Sequence, residues 1–102
     1  MRGRSTAAAN AYDVARAGGI HSGTITTYAS KPASELRRAA ESYDVVVAEH
    51  IRKLNDPGAY AEKWATGSDL YRQGLLRKWE NDLVRNAELA EIMRNLLREA
   101  SP

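Results

Sequence analysis

The chain has 102 residues, no cysteine, and 15 basic against 13 acidic side chains, so its formal net charge is +2 with neutral histidines. This length allows one domain with one modest core, and the lack of cysteine excludes disulfides and cysteine-based metal sites. No apolar run approaches the ~18 residues of a membrane-spanning helix, and the N-terminus lacks the apolar stretch of a secretory signal. We expect no metal, no cofactor and no membrane span.

The N-terminal part of the chain is predicted to be an arm or short helix over residues 1–17, ended by the glycine pair Gly18 and Gly19. Residues 18–31 are predicted to form a loop, with a short extended piece in its threonine-rich part. Residues 1–31 carry four basic side chains and one acidic side chain. This local excess of positive charge favours a polyanionic ligand near the loop.

Two long amphipathic helices are predicted for the rest of the chain, over residues 32–55 and 69–100, because their apolar positions recur every three or four residues. Pro32 suits the start of the first helix, and "NDPG" ends it. A short helix over residues 57–64 is predicted between the two. The expected fold is all-α: an antiparallel hairpin of long helices with a short connecting helix. The N-terminal arm and loop pack across it, and residues 18–102 form a single domain.

Two histidines are the first candidates for chemistry, because imidazole exchanges protons near neutral pH. His21 stands between glycines in the predicted loop, where it has the freedom to point into a cleft or simply to face solvent. His50 lies on the apolar side of the first long helix, where most histidines are satisfied core residues. If the arm folds over that helix, the two imidazoles meet. Two histidines, one acting as base and the other as acid, can cleave RNA without a metal by activating its 2′-hydroxyl.

A phosphate substrate also needs positive charge, which the helices offer at Lys53, Arg72 and Lys78. Each of these is, taken alone, an ordinary solvated side chain. Tyr28 follows the predicted loop and either contacts a phosphate or base, or anchors the loop. The chain has no dinucleotide-binding glycine motif, no P-loop, no GxSxG elbow and no HExxH motif.

Three segments, "GGIHSGTITTYASKPASEL", "EHIRKLNDPGAY" and "YRQGLLRKWENDL", together resemble the C-terminal effector domains of bacterial polymorphic toxins of the Rhs and contact-dependent inhibition types. The resemblance covers roughly residues 18–97. It implies a toxic enzyme, most often a nuclease, that is delivered into the cytoplasm of a target bacterium and neutralised by a cognate immunity protein. The positions that it singles out are Gly19, His21, Tyr28, His50, Lys53, Arg72, Gln73 and Trp79. The chain departs from many toxin nucleases in lacking an HNH motif and predicted strands.

The first functional hypothesis is therefore a toxin that acts as a metal-independent ribonuclease on RNA. Its catalytic residues are His21, His50 and Tyr28, and its substrate-binding residues are Gly19, Lys53, Arg72, Gln73 and Lys78. The alternative is a non-enzymatic helical hairpin that binds another protein. The "WATG" connection is similar in outline to small secreted hairpins of the WXG type, although two residues rather than one separate Trp64 from Gly67. An antitoxin or DNA-binding regulator is disfavoured, because both long helices are neutral overall.

Overall fold

The structure is a computed structural model that describes residues 7–100, with side-chain surroundings from residue 10 onward. The first six residues of the predicted arm and the last two of the predicted domain lie outside the described residues. The described range contains four α-helices and no strand: α1 (Ala7–Arg16), α2 (Ser22–Tyr28), α3 (Ala33–Asn55) and α4 (Asp69–Ala100). One 3-10 helix, Pro57–Ala59, follows α3. The predicted all-α fold is confirmed.

The predicted hairpin is formed by α3 and α4, which pack against each other. Pro32 has an extended backbone (φ −65°, ψ 156°) and precedes the helix, so α3 begins one residue later than expected. α4 has the predicted bounds. At 32 residues, it is about 48 Å long. Its length sets the elongated shape of the molecule, whose largest dimension is 53 Å.

The hydrophobic core lies at the end of the hairpin where α3 begins and α4 ends. There α1 packs on α4, and α2 contacts both α1 and α4, so the N-terminal elements lie across the hairpin as expected. The buried residues of this core are Ala11, Tyr12, Ala15, Leu36, Ala40, Ile92, Met93 and Leu96. Toward the connection, the largest buried apolar side chain is Trp79, which is 6% exposed.

The prediction of a loop over residues 18–31 is wrong, because α2 occupies half of it. The β-branched residues that favour an extended piece form helix here. Ile25 and Tyr28 pack against the core, and this tertiary contact outweighs local propensity. The short helix predicted over residues 57–64 is also too long. Helical geometry is limited to Pro57–Ala59, and turns follow it.

The glycine pair ends α1 and reverses the chain. The Gly18 N–H donates to the Ala15 carbonyl (3.1 Å) and the Gly19 N–H donates to the Val14 carbonyl (2.9 Å). These two bonds, with Gly18 at φ +96°, form a Schellman motif. A Cβ atom on Gly19 would lie 2.7 Å from Val14 Cγ1. The two glycines are therefore explained by the turn that they form.

Arg72 holds the connection between the long helices in place. Its Nε donates to the Trp64 carbonyl (2.8 Å), and Nη2 donates to the Ala65 carbonyl (3.0 Å). The guanidinium group also lies 5.7 Å from the centre of the Trp64 ring. At the start of α4, Ser68 Oγ accepts a hydrogen bond from the Tyr71 N–H (3.1 Å), which caps the helix.

We expect Gly67→Ala to lower the free energy of unfolding by about 1–3 kcal/mol, because overpacking costs that much. The new Cβ would overlap the Tyr71 ring and lie 2.9 Å from the Lys63 carbonyl oxygen. Gly74→Ala is the matched control. Nothing lies within 4 Å of that position inside α4, so we expect a gain of about 0.5–1 kcal/mol. Urea unfolding followed by circular dichroism measures both, and equal stability of the two variants would contradict this packing.

Candidate functional site

His21 connects the N-terminal arm to α4. It precedes α2 in the left-handed conformation, with φ 70° and ψ 12°, which is unusual for a residue other than glycine. Its Nε2 lies 2.9 Å from Glu88 Oε1, and the two side chains are only 11% and 14% exposed. The imidazole therefore lies in a largely buried contact with a carboxylate rather than in an open loop.

His50 is a buried residue on the side of α3 that faces α4. Its Nδ1 lies 2.8 Å from the carbonyl oxygen of Val46. Because a carbonyl oxygen only accepts, Nδ1 must carry the proton of this hydrogen bond. Nε2 is then the nitrogen that lacks a proton whenever the ring is neutral, and it lies 3.6 Å from Asp82 Oδ2. A neutral ring held in this way can accept a proton at Nε2, as a general base must.

The two histidines are held by different carboxylates of α4. Asp82 and Glu88 are six residues apart, which corresponds to about 9 Å along the helix axis and about 120° around it. The structure therefore does not bring His21 and His50 together as an acid–base pair. The expected meeting fails because the arm lies over the C-terminal part of α4, whereas His50 faces its middle.

Asp82 is the centre of a group of charged side chains on the hairpin. Its carboxylate lies 3.1 Å from Lys78 Nζ, 3.8 Å from Arg85 Nη2 and 3.6 Å from His50 Nε2. The hydrogen bond from Lys78 is the main cause that lowers the pKa of Asp82, and the charges of Lys78, His50 and Arg85 lower it further. We call these four residues the Asp82 cluster. With Lys78 and Arg85 both charged, two cations against one carboxylate leave the cluster with net positive charge even when His50 is neutral.

Two tyrosines extend the Asp82 cluster toward α2. Tyr43 of α3 and Tyr28 of α2 lie on the wall of one cavity, and the charge of Arg85 is near enough to Tyr43 to affect its pKa. Burial is the largest cause that raises the pKa of Tyr43, followed by Tyr28, while Arg85 lowers it. Tyr43 is therefore a neutral hydroxyl near pH 7. We call Tyr28, Tyr43 and the Asp82 cluster together the polar strip.

A cavity of about 370 Å³ opens beside this strip, between α2 and α3. The two tyrosines lie on its wall, together with two charged side chains, Glu35 and Arg38. Neither Glu35 nor Arg38 forms an ion pair within residues 10–100. The remaining lining residues are Ala39 and Ser42.

The other substrate-binding residues predicted from the sequence are dispersed. Lys53 lies 5.7 Å over the Trp79 ring and lines a second cavity of about 370 Å³. Arg72 is engaged by the connection, and Gly19 belongs to the turn after α1. Gln73 is exposed on α4. Of the predicted set, the structure places Tyr28, His50 and Lys78 along the polar strip.

Three residues of the strip were not among the sequence candidates: Tyr43, Asp82 and Arg85. A signal for two of them is present, since Lys78, Asp82 and Arg85 follow at intervals of four and three on one helix and so share a face. That spacing predicts ion pairs within α4 but not their contact with His50. Tyr43 stands at an apolar position of the α3 repeat, which predicts a core residue. In the structure it is partly buried and packs against the core.

Within residues 7–100, no group of three or more histidine, aspartate or glutamate side chains is placed to hold a metal ion. The described helices include none with the length and apolarity to cross a membrane. In comparisons with protein-family models, curated proteins and solved structures, nothing matches this chain.

Proposed function

We propose that the chain is a ribonuclease effector domain of a bacterial toxin, delivered into a target cell and neutralised by an immunity protein. The toxin class comes from the sequence resemblance over residues 18–97. The chemistry is assigned to the Asp82 cluster, not to a pair formed by His21 and His50. The observation that carries this assignment is the contact of His50 Nδ1 with the Val46 carbonyl, which leaves Nε2 facing Asp82, the carboxylate that also holds the cations Lys78 and Arg85.

The reaction follows from the groups present. His50 Nε2 removes the proton of a ribose 2′-hydroxyl, and the oxygen attacks the adjacent phosphorus to form a 2′,3′-cyclic phosphate. The O5′ atom departs with a proton supplied by the Lys78 ammonium group. Arg85 stabilises the charge that builds up on the phosphate oxygens, and Asp82 stabilises the imidazolium that His50 becomes. The Lys78 side chain is 69% exposed, so its ammonium group is accessible to RNA.

The alternative of a protein-binding hairpin requires a contiguous apolar face on the outside of the long helices. The large apolar residues exposed there do not line up. Val45 and Ile51, both on α3, are six residues apart and so differ by about 120° around the helix. Leu70 and Val84 lie at distant positions on α4. Single exposed apolar residues are normal on a monomer, so they do not favour a docking function.

Tightly controlled expression in a bacterial host tests the proposal. The unaltered chain should arrest growth and fragment total RNA, and both effects should disappear with His50→Ala and with Lys78→Ala. The Lys78 variant removes a mostly exposed side chain, so loss of folding does not explain its result. Arg77→Ala, an exposed neighbour on α4, is the matched control and should still arrest growth. Growth without arrest, or arrest with intact RNA, would contradict the proposal.

A further inference from the structure

We infer that the cavity lined by Glu49, Arg52, Lys53 and Tyr60 is the subsite for the nucleotide on the 3′ side of the cleaved bond. Its cations hold the phosphate that follows this nucleotide, and Tyr60 stacks on the base. The inference rests on the proposed function, because it takes RNA as the ligand and the Asp82 cluster as the place of cleavage.

The cavity begins one helical turn from the proposed catalytic base. Lys53 follows His50 by three residues on α3, which is about 4.5 Å along the axis and makes the two side chains neighbours. The Lys53 ammonium group lies 5.7 Å from the centre of the Trp79 ring. Trp79 in turn precedes Asp82 by three residues on α4. The contacts of His50 with Asp82 and of Lys53 with Trp79 are therefore consecutive along the hairpin.

Lys53 also lies on the same side of the hairpin as the cations of the Asp82 cluster. The ion pair of Arg94 with Asp44 marks the opposite side. Lys53 follows Asp44 by nine residues, and Arg85 precedes Arg94 by nine. Nine residues are about two and a half turns of an α-helix, which reverses the direction of a side chain. Lys53 and Arg85 therefore both point away from the side that the Arg94 ion pair occupies.

The lining of the cavity carries an excess of positive charge. Neither Arg52 nor Lys53 forms an ion pair within residues 10–100. Glu49 precedes Lys53 by four residues, a spacing that allows an ion pair, yet the lysine lies over Trp79 instead. Two cations against one carboxylate favour an anionic ligand. The volume of about 370 Å³ lies within the range of small-molecule sites, so a phosphate enters together with its nucleoside.

The direction of the strand follows from the position of the proposed acid. Lys78 gives its proton to the departing O5′ atom, so the nucleotide that begins with this atom lies on the Lys78 side of the phosphorus. α4 starts at the connection and Lys78 precedes Asp82 by one turn, so that side is the one toward the connection. Lys53 and Tyr60 lie there, near the end of α3 and within the connection. The departing nucleotide therefore reaches this cavity with its own 3′-phosphate.

Tyr60 supplies a surface for the base of this nucleotide. It follows the 3-10 helix and is 49% exposed, so part of its ring is open to a ligand. An aromatic ring stacks on all four bases, since each base has a π face. The subsite therefore adds affinity without selecting one base.

Calorimetric titration with two uncleavable ligands tests the phosphate contact. Both are dinucleotides of uridine and adenosine whose first sugar is 2′-deoxyribose, and one of them carries an additional 3′-phosphate. We expect this phosphate to raise the affinity about 10-fold at low salt, as a charge-assisted contact does. Lys53→Gln should abolish the gain, whereas Lys31→Gln, the same change just before α3, should keep it. Equal affinities of the two ligands for the unaltered chain, or an unchanged gain in Lys53→Gln, would overturn the inference.

Two variants of Tyr60 test the stacking contact with the longer ligand. Tyr60→Ser removes the ring and should lower the affinity about 10-fold. Tyr60→Phe removes only the hydroxyl and should keep the affinity of the unaltered chain. An equal loss in both variants, or no loss in either, would overturn the role of the ring.

Cleavage of the matching ribonucleotides separates this inference from the proposed function. The unaltered chain should cut the dinucleotide with a higher kcat/KM when the 3′-phosphate is present, and Lys53→Gln should still cut both but without that difference. Cleavage that does not depend on the 3′-phosphate would overturn the subsite and leave the ribonuclease standing. Binding that depends on the phosphate, with no cleavage of any RNA, would contradict the ribonuclease and the RNA subsite together, and would leave a site for free phosphate compounds.

Discussion

The purified His50→Gln variant is expected to cleave RNA about 10²–10⁴ times more slowly than the unaltered chain, which is the usual contribution of a general base. Glutamine is chosen because its amide N–H can still donate to the Val46 carbonyl, as Nδ1 of His50 does. The variant therefore keeps the buried hydrogen bond but has no group that takes up a proton. Initial rates on a fluorogenic RNA near neutral pH give the ratio.

Two comparisons make the His50→Gln result specific. Arg77→Gln alters an exposed position of α4 beside the Asp82 cluster, and its rate should stay within a factor of about two of the unaltered chain. Thermal unfolding shows whether His50→Gln is folded at the assay temperature. A normal rate for folded His50→Gln, together with a large loss in His21→Gln, would place the chemistry at His21 and contradict the assignment to the Asp82 cluster.

The second large effect concerns stability. His21→Ala should lower the free energy of unfolding by about 2–3 kcal/mol, because it leaves the carboxylate of Glu88 without its partner at a site with little access to water. The loss of stability should be concentrated in the N-terminal elements, because His21 links the turn between α1 and α2 to α4. Urea unfolding followed by circular dichroism measures it.

His21→Gly separates the lost contact from the backbone conformation. Both variants lose the interaction with Glu88, but glycine adopts φ 70° at no steric cost, whereas alanine does not. We therefore expect His21→Gly to be about 1 kcal/mol more stable than His21→Ala. Equal stabilities of the two variants would contradict the left-handed conformation at this position. Wild-type stability of His21→Ala would contradict the contact with Glu88.

The helical hairpin was predictable from the sequence because apolar periodicity and turn residues both indicate it. The alternation of four and three residues marked the faces of α3 and α4 that meet, including Leu36, Trp79 and Met93. Ile92 and Leu96 are also buried, although they lie off that seam, because α1 covers a second face of α4. Periodicity within α4 does not show where a separate ten-residue helix will pack.

The helix α2 was not predictable, because its sequence favours the wrong conformation. A run of threonine and isoleucine after a glycine indicates an extended strand or loop, whereas the packing of the partly buried Ile25 and Tyr28 against the core favours the helix. The glycine pair before it was correctly expected to end a helix. The glycines around His21 suggested a loop that lets this side chain point into a cleft, whereas Gly18 and Gly19 complete the turn after α1.

The candidate site was predictable only in part, because it depends on how α3 and α4 are aligned. The sequence marks His50 and Lys78 as polar groups on each helix, but their alignment is set by residues 56–68, which contain a single 3-10 turn. This connection brings Asp82 opposite His50. It also engages Arg72, which the sequence alone had assigned to a phosphate.

The chemistry of the RNA ends is the most direct test of a ribonuclease that acts through His50. Purified protein is incubated in EDTA with an RNA, and with the same RNA carrying one 2′-deoxynucleotide at the cleaved position, and the products are identified by mass spectrometry. The proposed mechanism predicts 2′,3′-cyclic phosphate ends, no effect of EDTA, and no cut at the deoxynucleotide. Cleavage at the deoxynucleotide, 3′-hydroxyl ends, or no cleavage of either RNA would contradict it.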